Sequence, residues 1–254
     1  MKMSSVVMAA MAVGATVAAA GPTWTPDNSV FGNSNIIAAA YDGFVYDQKD
    51  AFFNAFGDYT RTANVGGGSS AQSLRWSPDA AESDFAVSVN GNGVGYEYYH
   101  GRTYLNFVAV EGGEYEVNLS FDWQGSGQDS VVVHFRWFDG DSRQSETVRR
   151  EVPSGRASLT YTGTLVAGHH YEFYYYAEVA GSGGLSGSGT GSGDITLHAP
   201  CLADLNGDGV VNTQDFLTFL NAWASGNLVA DWDRNGTINT LDFLAYLNEW
   251  AAGC

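Results

Sequence analysis

Two stretches near the C-terminus carry oxygen-bearing side chains at the spacing of a calcium-binding loop. Each has Asp or Asn at positions 1, 3, 5, 9 and 12 and Gly at position 6, and the second copy follows the first by 27 residues. Calcium takes roughly six to eight oxygen ligands, which short side chains supply when a glycine lets the backbone turn sharply. The sequence therefore predicts two bound Ca²⁺ ions. The expected ligands, including the backbone carbonyl at position 7, are Asp204, Asn206, Asp208, Val210, Asn212 and Asp215 in loop 1 and Asp231, Asp233, Asn235, Thr237, Asn239 and Asp242 in loop 2.

A helix is predicted directly after each loop. Apolar residues recur there at the i, i+3, i+4, i+7 spacing of one helical face. They are Phe216, Phe219, Leu220 and Trp223 after loop 1, and Phe243, Tyr246, Leu247 and Trp250 after loop 2. Val211 and Ile238, at position 8 of the loops, are expected to pair in a short ladder and to bury against the helices. Only Leu202 and Ala203 separate Cys201 from loop 1, so the helix that precedes a standard EF-hand loop is missing.

Residues 1–20 have the composition of a secretory signal peptide. Lys2 precedes an apolar, Ala-rich stretch, and three alanines end in a cleavage site after Ala20. A membrane anchor is the alternative, but the apolar run is short and no stop-transfer charges follow it. We therefore expect a secreted or cell-surface protein with no membrane span in the mature chain. The net charge of −17 argues against nucleic acid as a partner, because phosphate binding needs clustered Lys and Arg.

The two cysteines of the chain, Cys201 and Cys254, bracket the calcium-loop region. In an exported protein we expect one disulfide that ties the ends of this region together, and two unpaired thiols are the alternative. A zinc site is poorly supported, because the segment contains no His and no further Cys.

The duplicated loop and helix, with Asp rather than Glu at position 12, resemble the dockerin family (type I) over residues 201–254. The resemblance implies a calcium-dependent module that docks secreted polysaccharide-degrading enzymes and binding proteins onto cohesin modules. In that family, Ser/Thr-type residues at loop positions 10 and 11 help to choose the partner. The matching residues are Thr213, Gln214, Thr240 and Leu241, of which Gln214 and Leu241 depart from the pattern. The implied partner is a cohesin-like or other cell-surface protein; alternatively, calcium is structural only and nothing docks.

Residues 22–199 alternate apolar and polar side chains in many short runs separated by Gly-rich turns. Such a pattern predicts a mainly β fold, an antiparallel jelly-roll-like sandwich followed by a small helical calcium-binding module. The candidate strands are 85–89, 94–99, 104–110, 114–122, 130–138, 144–152, 157–161, 171–179 and 195–197. Residues 50–58, with three Phe, could be a short helix or an irregular aromatic plug. The Gly/Ser tract 181–193 is predicted as a floppy loop between strands, with the domain boundary at Ala199-Pro200.

Catalytic motifs are not evident in residues 22–199. There is no nucleophile elbow, no H-E-x-x-H and no P-loop, and pairing Glu97 with Glu172 as a glycosidase dyad would be a guess. His169 and His170 are expected to start a strand, and Asp139 with Asp141 to form a plain turn rather than a further calcium site. The aromatic runs 96–100 and 171–176 place rings on both faces of their strands. One face must be core, and the other could stack on sugars or pack under a loop.

These observations favour an exported calcium-binding protein whose tail attaches it to an extracellular or cell-surface assembly. The sandwich would be a non-catalytic carbohydrate-binding or adhesion-like domain that acts in polysaccharide utilisation, with a glycan as its ligand. One alternative is a polysaccharide-degrading hydrolase or lyase with a jelly-roll catalytic domain. Another is a purely structural surface protein with a calcium-stabilised tail.

Overall fold

The computed structural model describes residues 23–90, 95–198, 202–206 and 210–253. The predicted signal peptide, the predicted disulfide between Cys201 and Cys254, and the predicted ligand Asp208 lie outside the described residues. The described chain forms thirteen strands followed by two α-helices with a short 3₁₀ helix between them. The strands are β1 Trp24–Pro26, β2 Ser34–Tyr41, β3 Tyr46–Phe53, β4 Gly57–Val65, β5 Gly68–Trp76, β6 Ala80–Asn90, β7 Glu97–Ala109, β8 Gly113–Ser126, β9 Ser130–Asp139, β10 Ser145–Val152, β11 Gly155–Leu165, β12 His170–Gly181 and β13 Ser186–His198.

The strands form two antiparallel sheets that pack face to face. Sheet A has the order β10-β9-β12-β7-β2-β3, with β1 paired to the end of β7, and sheet B has the order β11-β8-β13-β6-β5-β4. Strands β6 to β13 alone give β6-β13-β8-β11 and β7-β12-β9-β10, which is the connectivity of a jelly roll. The predicted fold class is confirmed, and β2 to β5 widen both sheets.

The core lies between the sheets because alternate residues of each strand point inward. Phe121 and Phe173 are fully buried there, and Trp24, Phe107 and Phe173 make edge-to-face contacts with one another. Tyr171, Phe173 and Tyr175 on β12 therefore belong to the core, as one face of that aromatic run must.

Three segments differ from the expectations. Residues 50–58 are neither a helix nor a plug: they are the end of β3, a bend and the start of β4. The two strands predicted over 94–99 and 104–110 are replaced by the single strand β7, which continues through Gly101. Gly101 does not interrupt the strand; it is required there by close packing, because a Cβ would lie 2.5 Å from Phe85 Cδ2 in the opposite sheet. The ladder expected between Val211 and Ile238 does not form; both side chains are half-buried against the helical core instead.

The Gly/Ser tract 181–193 is also not a floppy loop, because most of it belongs to β13. This strand passes directly over bulky side chains of the core. A Cβ at Gly189 would lie 2.6 Å from Phe121, and one at Gly193 would lie 2.9 Å from Leu119 and 3.0 Å from Tyr175. The glycines are therefore required by close packing rather than by flexibility.

The C-terminal region contains α1 Thr213–Ser225, the 3₁₀ helix Leu228–Ala230 and α2 Thr240–Ala252. Gly226, at the C-cap of α1, adopts the left-handed conformation that ends many helices. Phe219 and Tyr246 are fully buried and stack with ring centroids 4.0 Å apart. Among the described residues, no helix is long and apolar enough to cross a membrane.

Candidate metal centre and binding face

Loop 2 brings three carboxylates together. Asp231, Asp233 and Asp242 each offer an oxygen, and these atoms all lie within 4.8 Å of one another. Asp231 Oδ2 accepts a hydrogen bond from Gly236 N (2.8 Å), whereas Asp231 Oδ1 is buried and has no hydrogen-bond partner in the described structure. Converging carboxylate oxygens with an unsatisfied buried acceptor fit a hard cation such as Ca²⁺.

Asp242, at position 12, is buried at the N-terminus of α2. Its Oδ2 accepts from Asn239 N (2.8 Å) and its Oδ1 accepts from Asp233 N (3.1 Å). These backbone donors, Asn239 N–H first, hold the pKa of the Asp242 carboxyl below its ordinary value. The group is therefore ionised at neutral pH, as a calcium ligand must be.

Position 9 of loop 2 has a second role that the spacing argument missed. Asn239 is the N-cap of α2, and its Oδ1 accepts from Leu241 N (2.8 Å). Its Nδ2 donates to the Thr237 carbonyl (3.0 Å), the backbone oxygen predicted at position 7. The Asn-x-x-Asp spacing of a capping box was the available signal.

Asn235, at position 5, orders the middle of loop 2. Its Nδ2 donates to Asp233 Oδ2 (2.7 Å), and its Oδ1 accepts from Thr237 N (2.8 Å). The loop is thus wrapped by its own polar side chains around the carboxylate cluster.

Loop 1 repeats this arrangement wherever it is described. Asp215 accepts from Asn206 N (3.1 Å) and Asn212 N (2.9 Å), and these bonds hold the pKa of the Asp215 carboxyl below its ordinary value. Asn212 caps α1 through Gln214 N (2.7 Å), and its Nδ2 donates to the Val210 carbonyl (3.0 Å). Asp204, at position 1, is half-buried like its counterpart in loop 2.

The two loop–helix units exchange contacts around an internal two-fold relation. Trp250 of α2 donates to the carbonyl of Asn212, the N-cap of α1 (2.8 Å), and Trp223 of α1 donates to the carbonyl of Asn239, the N-cap of α2 (3.2 Å). Each tryptophan therefore contacts the loop of the other unit.

The predicted partner-recognition residues are all exposed and lie on the first turns of the helices. Thr213 and Gln214 begin α1, and Thr240 and Leu241 begin α2. The side chain of Leu241 is 62% exposed and that of Leu244, one turn further on, is 49% exposed. The α2 face is thus apolar where α1 has Gln214.

The outer surface of sheet A carries a second cluster of functional side chains. The arginine–tyrosine face comprises His134, Arg136, Tyr174, Tyr176, Arg102 and Tyr104 on β9, β12 and β7. All six are half-buried and alternate with core residues along their strands. Tyr104 stacks on Tyr174 with centroids 4.4 Å apart, and His134 stacks on Tyr176 at 4.7 Å. The sequence indicated Tyr174 and Tyr176 through the 171–176 run, but not Tyr104, His134 or either arginine.

The guessed glycosidase pair is not brought together. Glu97 is buried on the inward side of β7, where it accepts a hydrogen bond from Leu185 N. Glu172 lies on the outer face and pairs with Arg136. In the β7–β12 register Glu172 is opposite Asn106, nine residues from Glu97, or roughly 30 Å along the strand.

The acidic turn 139–142 is occupied by its own hydrogen bonds. Asp139 accepts from the Ser142 hydroxyl (2.7 Å), and His169 Nδ1 lies 2.9 Å from Asp139 Oδ2. His170 Nδ1 lies 3.0 Å from Asp141. A carboxylate oxygen of Asp139, one of Asp141 and a ring nitrogen of His169 lie within 4.8 Å of one another. Each carboxylate nevertheless accepts a backbone hydrogen bond, Asp139 from Asp141 N and Asp141 from His170 N.

A loop–helix duplication of this kind defines a class of calcium-binding modules, and the comparison with protein families identifies it. Residues 202–249 match the family model of the Dockerin type I domain, which confirms the resemblance seen in the sequence. Dockerin type I domains bind calcium in general, they bind cohesins, and proteins that carry them are typically extracellular. No curated protein matches the chain.

Solved structures resemble the described fold only distantly. The enzymatically active domain of bacteriophage CBA120 tailspike protein 4 is 12% identical over 55% of this chain, at a TM-score of 0.28, and this chain spans 19% of it. A carbohydrate-binding module solved with beta-1,4-galactotriose is 11% identical over 56% of this chain and 88% of its own length, at 0.27. The module of Cellvibrio mixtus lichenase 5A, solved with cellotriose, is 14% identical over 64% and 95%, at 0.20. Similarities at this level assign no ligand.

Proposed function

We propose that this is an exported, non-catalytic protein in which a calcium-binding tail attaches a glycan-binding sandwich to an extracellular or cell-surface assembly, in the context of polysaccharide utilisation. The observation that carries the proposal is the duplicated loop–helix unit with its converging carboxylates. The tail, residues 202–253, supplies attachment. The sandwich, residues 23–198, supplies recognition.

Two calcium ions are proposed, one for each loop. Loop 2 shows the carboxylate cluster, and loop 1 repeats its backbone and capping hydrogen bonds. Residues 201–254 carry seven acidic side chains and one basic side chain, so two ions would reduce a net charge of −6 to −2. Mutual repulsion of these carboxylates is then offset by the metal.

Calorimetric titration of the apo protein with Ca²⁺ tests the stoichiometry. We expect the unmodified chain to bind two ions. Asp231→Asn removes one carboxylate from loop 2 and leaves loop 1 unchanged, so this variant should bind one ion. Asp58→Asn on the exposed strand β4 is the matched control and keeps both sites. A stoichiometry of zero for the unmodified chain would refute the proposed function.

Attachment is proposed to use the exposed start of α2. Leu241 and Leu244 present an apolar pair beside Thr240, whereas α1 offers Gln214 beside Leu217. A type I cohesin module is the probe: we expect calcium-dependent binding that Leu241→Asp abolishes and Gln214→Asp weakens less. Absence of binding would leave the tail as a calcium-stabilised cap without a docking role.

Glycan binding is proposed for the arginine–tyrosine face, because its stacked rings are half-buried on the outer face of sheet A and are not part of the core. Tyrosine combines an apolar ring with a hydroxyl, which suits sugar rings. Affinity electrophoresis through a panel of polysaccharides tests this. We expect retardation by at least one glycan that is lost in Tyr174→Ala and retained in Thr160→Ala, a control on the exposed face of sheet B.

A further inference from the structure

We infer that the arginine–tyrosine face binds polysaccharides that carry anionic groups, either uronate carboxylates or sulfates, in preference to uncharged glycans. This inference rests on the proposed glycan-binding role of the sandwich and specifies its ligand class. It follows from the register of the strands, the geometry of the two guanidinium groups, and their charge environment.

The strand register assembles the face in two adjacent rows. His134 on β9 is opposite Tyr176 on β12, which is opposite Arg102 on β7. The next row, two residues along each strand, contains Arg136, Tyr174 and Tyr104. Neighbouring strands lie roughly 4.8 Å apart, so the face covers about 10 Å by 7 Å, the scale of one or two sugar rings.

Each arginine places its guanidinium group over a tyrosine ring. Arg102 Cζ is 5.7 Å from the Tyr176 centroid, and Arg136 Cζ is 5.5 Å from the Tyr174 centroid. A ring contact of this kind does not consume the N–H donors. Arg136 also pairs with Glu172, whereas no described carboxylate lies within ion-pair distance of Arg102. The planar fork of a guanidinium matches the two oxygens of a carboxylate or sulfate.

Several polar atoms of this face are buried and unsatisfied within the described structure. They include Nε of Arg102, Nε of Arg136 and Nδ1 of His134, and Asn35 Oδ1 lies beside Tyr104 on β2 in the same condition. Buried polar groups in proteins are nearly always hydrogen-bonded, so a concentration of exceptions on one face points to a ligand. Three of these four atoms belong to the face itself, and two of those are donors on permanently charged groups.

The charge environment favours an anion over a neutral sugar. The chain has 11 Lys and Arg against 28 Asp and Glu, yet Arg102, Arg136 and Arg149 surround His134. Burial first, and then these three cations, lower the pKa of His134, so the site stays positive without a charge on the imidazole. Arg136 pairs with Glu172 and Arg149 with Glu151, but no described carboxylate lies within ion-pair distance of Arg102.

The test is affinity electrophoresis and calorimetry of the full chain in calcium with four probes: polygalacturonate, its methyl ester, a sulfated galactan and an uncharged galactan. We expect the chain to bind polygalacturonate or the sulfated galactan. Its affinity for the methyl ester and for the uncharged galactan should be roughly tenfold or more lower. The two anionic probes distinguish carboxylate from sulfate as the preferred group. Affinity for the preferred probe should fall steadily as NaCl is raised.

Variants locate the site. Arg102→Gln should reduce binding of the preferred anionic probe roughly tenfold or more, whereas Arg75→Gln, an exposed arginine on β5 of the other sheet, should leave it unchanged. Circular dichroism checks that each variant is folded. If Arg102→Gln does not fold, binding by Arg136→Gln and the salt series on the unmodified chain test whether the arginines of this face bind the anionic probe.

The outcomes separate this inference from the proposed function. Binding to uncharged galactan with equal affinity and no salt dependence would overturn the anionic preference and keep the glycan-binding role. Anionic binding unaffected by both arginine variants would overturn the assignment to this face. Failure to bind any glycan would overturn the preference and the glycan-binding role together, while calcium binding by the tail would still be measured separately. Equal binding of single-stranded DNA would show a nonspecific polyanion surface and would also overturn the inference.

Discussion

The sandwich and the tail differ most in the size of their hydrophobic cores. In the sandwich, 35 buried apolar residues among those described form one continuous cluster between the sheets. Among the described residues of the tail, the corresponding cluster of buried residues contains only Ala203, Phe219, Ala230 and Tyr246. A core of that size rarely stabilises a small domain without a metal or a disulfide. We therefore infer that the two regions have different sources of stability: apolar burial in the sandwich and calcium ligation in the tail.

The largest contrast is expected from removing one buried phenylalanine from each region. Phe121→Ala in the sandwich and Phe219→Ala in the tail should each cost about 3–5 kcal/mol. The sandwich should stay folded with a lower melting temperature, whereas the tail should unfold even in saturating calcium. Scanning calorimetry with hydrogen exchange distinguishes the two transitions. Phe52→Ala, at a side chain that is 63% exposed, is the control. A tail that survives Phe219→Ala would show that its core matters less than we infer.

Overpacking tests the tightness of the sandwich. A Cβ at Gly101 would lie 2.0 Å from Gln72 Oε1 and 2.5 Å from Phe85 Cδ2, so Gly101→Ala should cost about 1–3 kcal/mol in urea unfolding. Gly66→Ala is the matched control in the β4–β5 hairpin, since its nearest neighbour is 3.9 Å away. Equal stability of the two variants would contradict the close approach of the sheets.

The reciprocal tryptophan contacts test the internal symmetry of the tail. Trp250→Phe and Trp223→Phe each remove one indole hydrogen bond to the opposite N-cap and should cost about 1 kcal/mol. Both should also weaken calcium binding at the loop of the other unit, measured by titration. Leu228→Ala, at a largely exposed side chain, should change neither quantity. An effect confined to the loop of the same unit would argue against coupling of the loops.

Acid should affect the two regions in different pH ranges. Burial lowers the pKa of His100 below 6.5, so the contribution of its neutral form is lost as the pH falls from about 6.5 through the folded pKa. Asp215 and Asp242 have lowered pKa values, so their contribution persists until the pH falls below about 3.8. Between pH 6.5 and 4.5, urea unfolding should show a weakening sandwich and an unaffected tail. His100→Gln should reduce the slope of the sandwich profile and leave the part contributed by His134, whose pKa burial also lowers. An unchanged slope would rule out His100 as a source.

The carboxylate cluster of loop 2 was predictable because the proposed ligands lie within twelve consecutive residues, where spacing alone determines proximity. The helices α1 and α2 were predictable because their apolar residues recur at helical spacing within a short stretch of sequence. Strands β8 to β12 were found through strict alternation, as in 114–122. Strands β2 and β5 were missed because Ala and Ser make up about half of each, which leaves the alternation of large apolar and polar residues weak. Strands β3 and β4 were missed because most of their side chains are polar or exposed.

The arginine–tyrosine face could not be predicted from one sequence. Arg102, Arg136 and Tyr174 lie on three strands, and only the register between β7, β12 and β9 brings them together. The Gly/Ser tract was misjudged for a related reason. Its glycines suggest a flexible loop until the neighbouring Phe121 and Tyr175 are known, and then they indicate close packing.

Amide hydrogen exchange of the full chain, with calcium and with EGTA, tests the central claim that calcium stabilises the tail but not the sandwich. At calcium about a hundredfold above Kd, each site contributes roughly 2.7 kcal/mol to folding. We predict that EGTA abolishes the protection of α1 and α2 while β7, β8 and β12 remain as protected as before. Equal protection of α1 and α2 under both conditions would contradict the account.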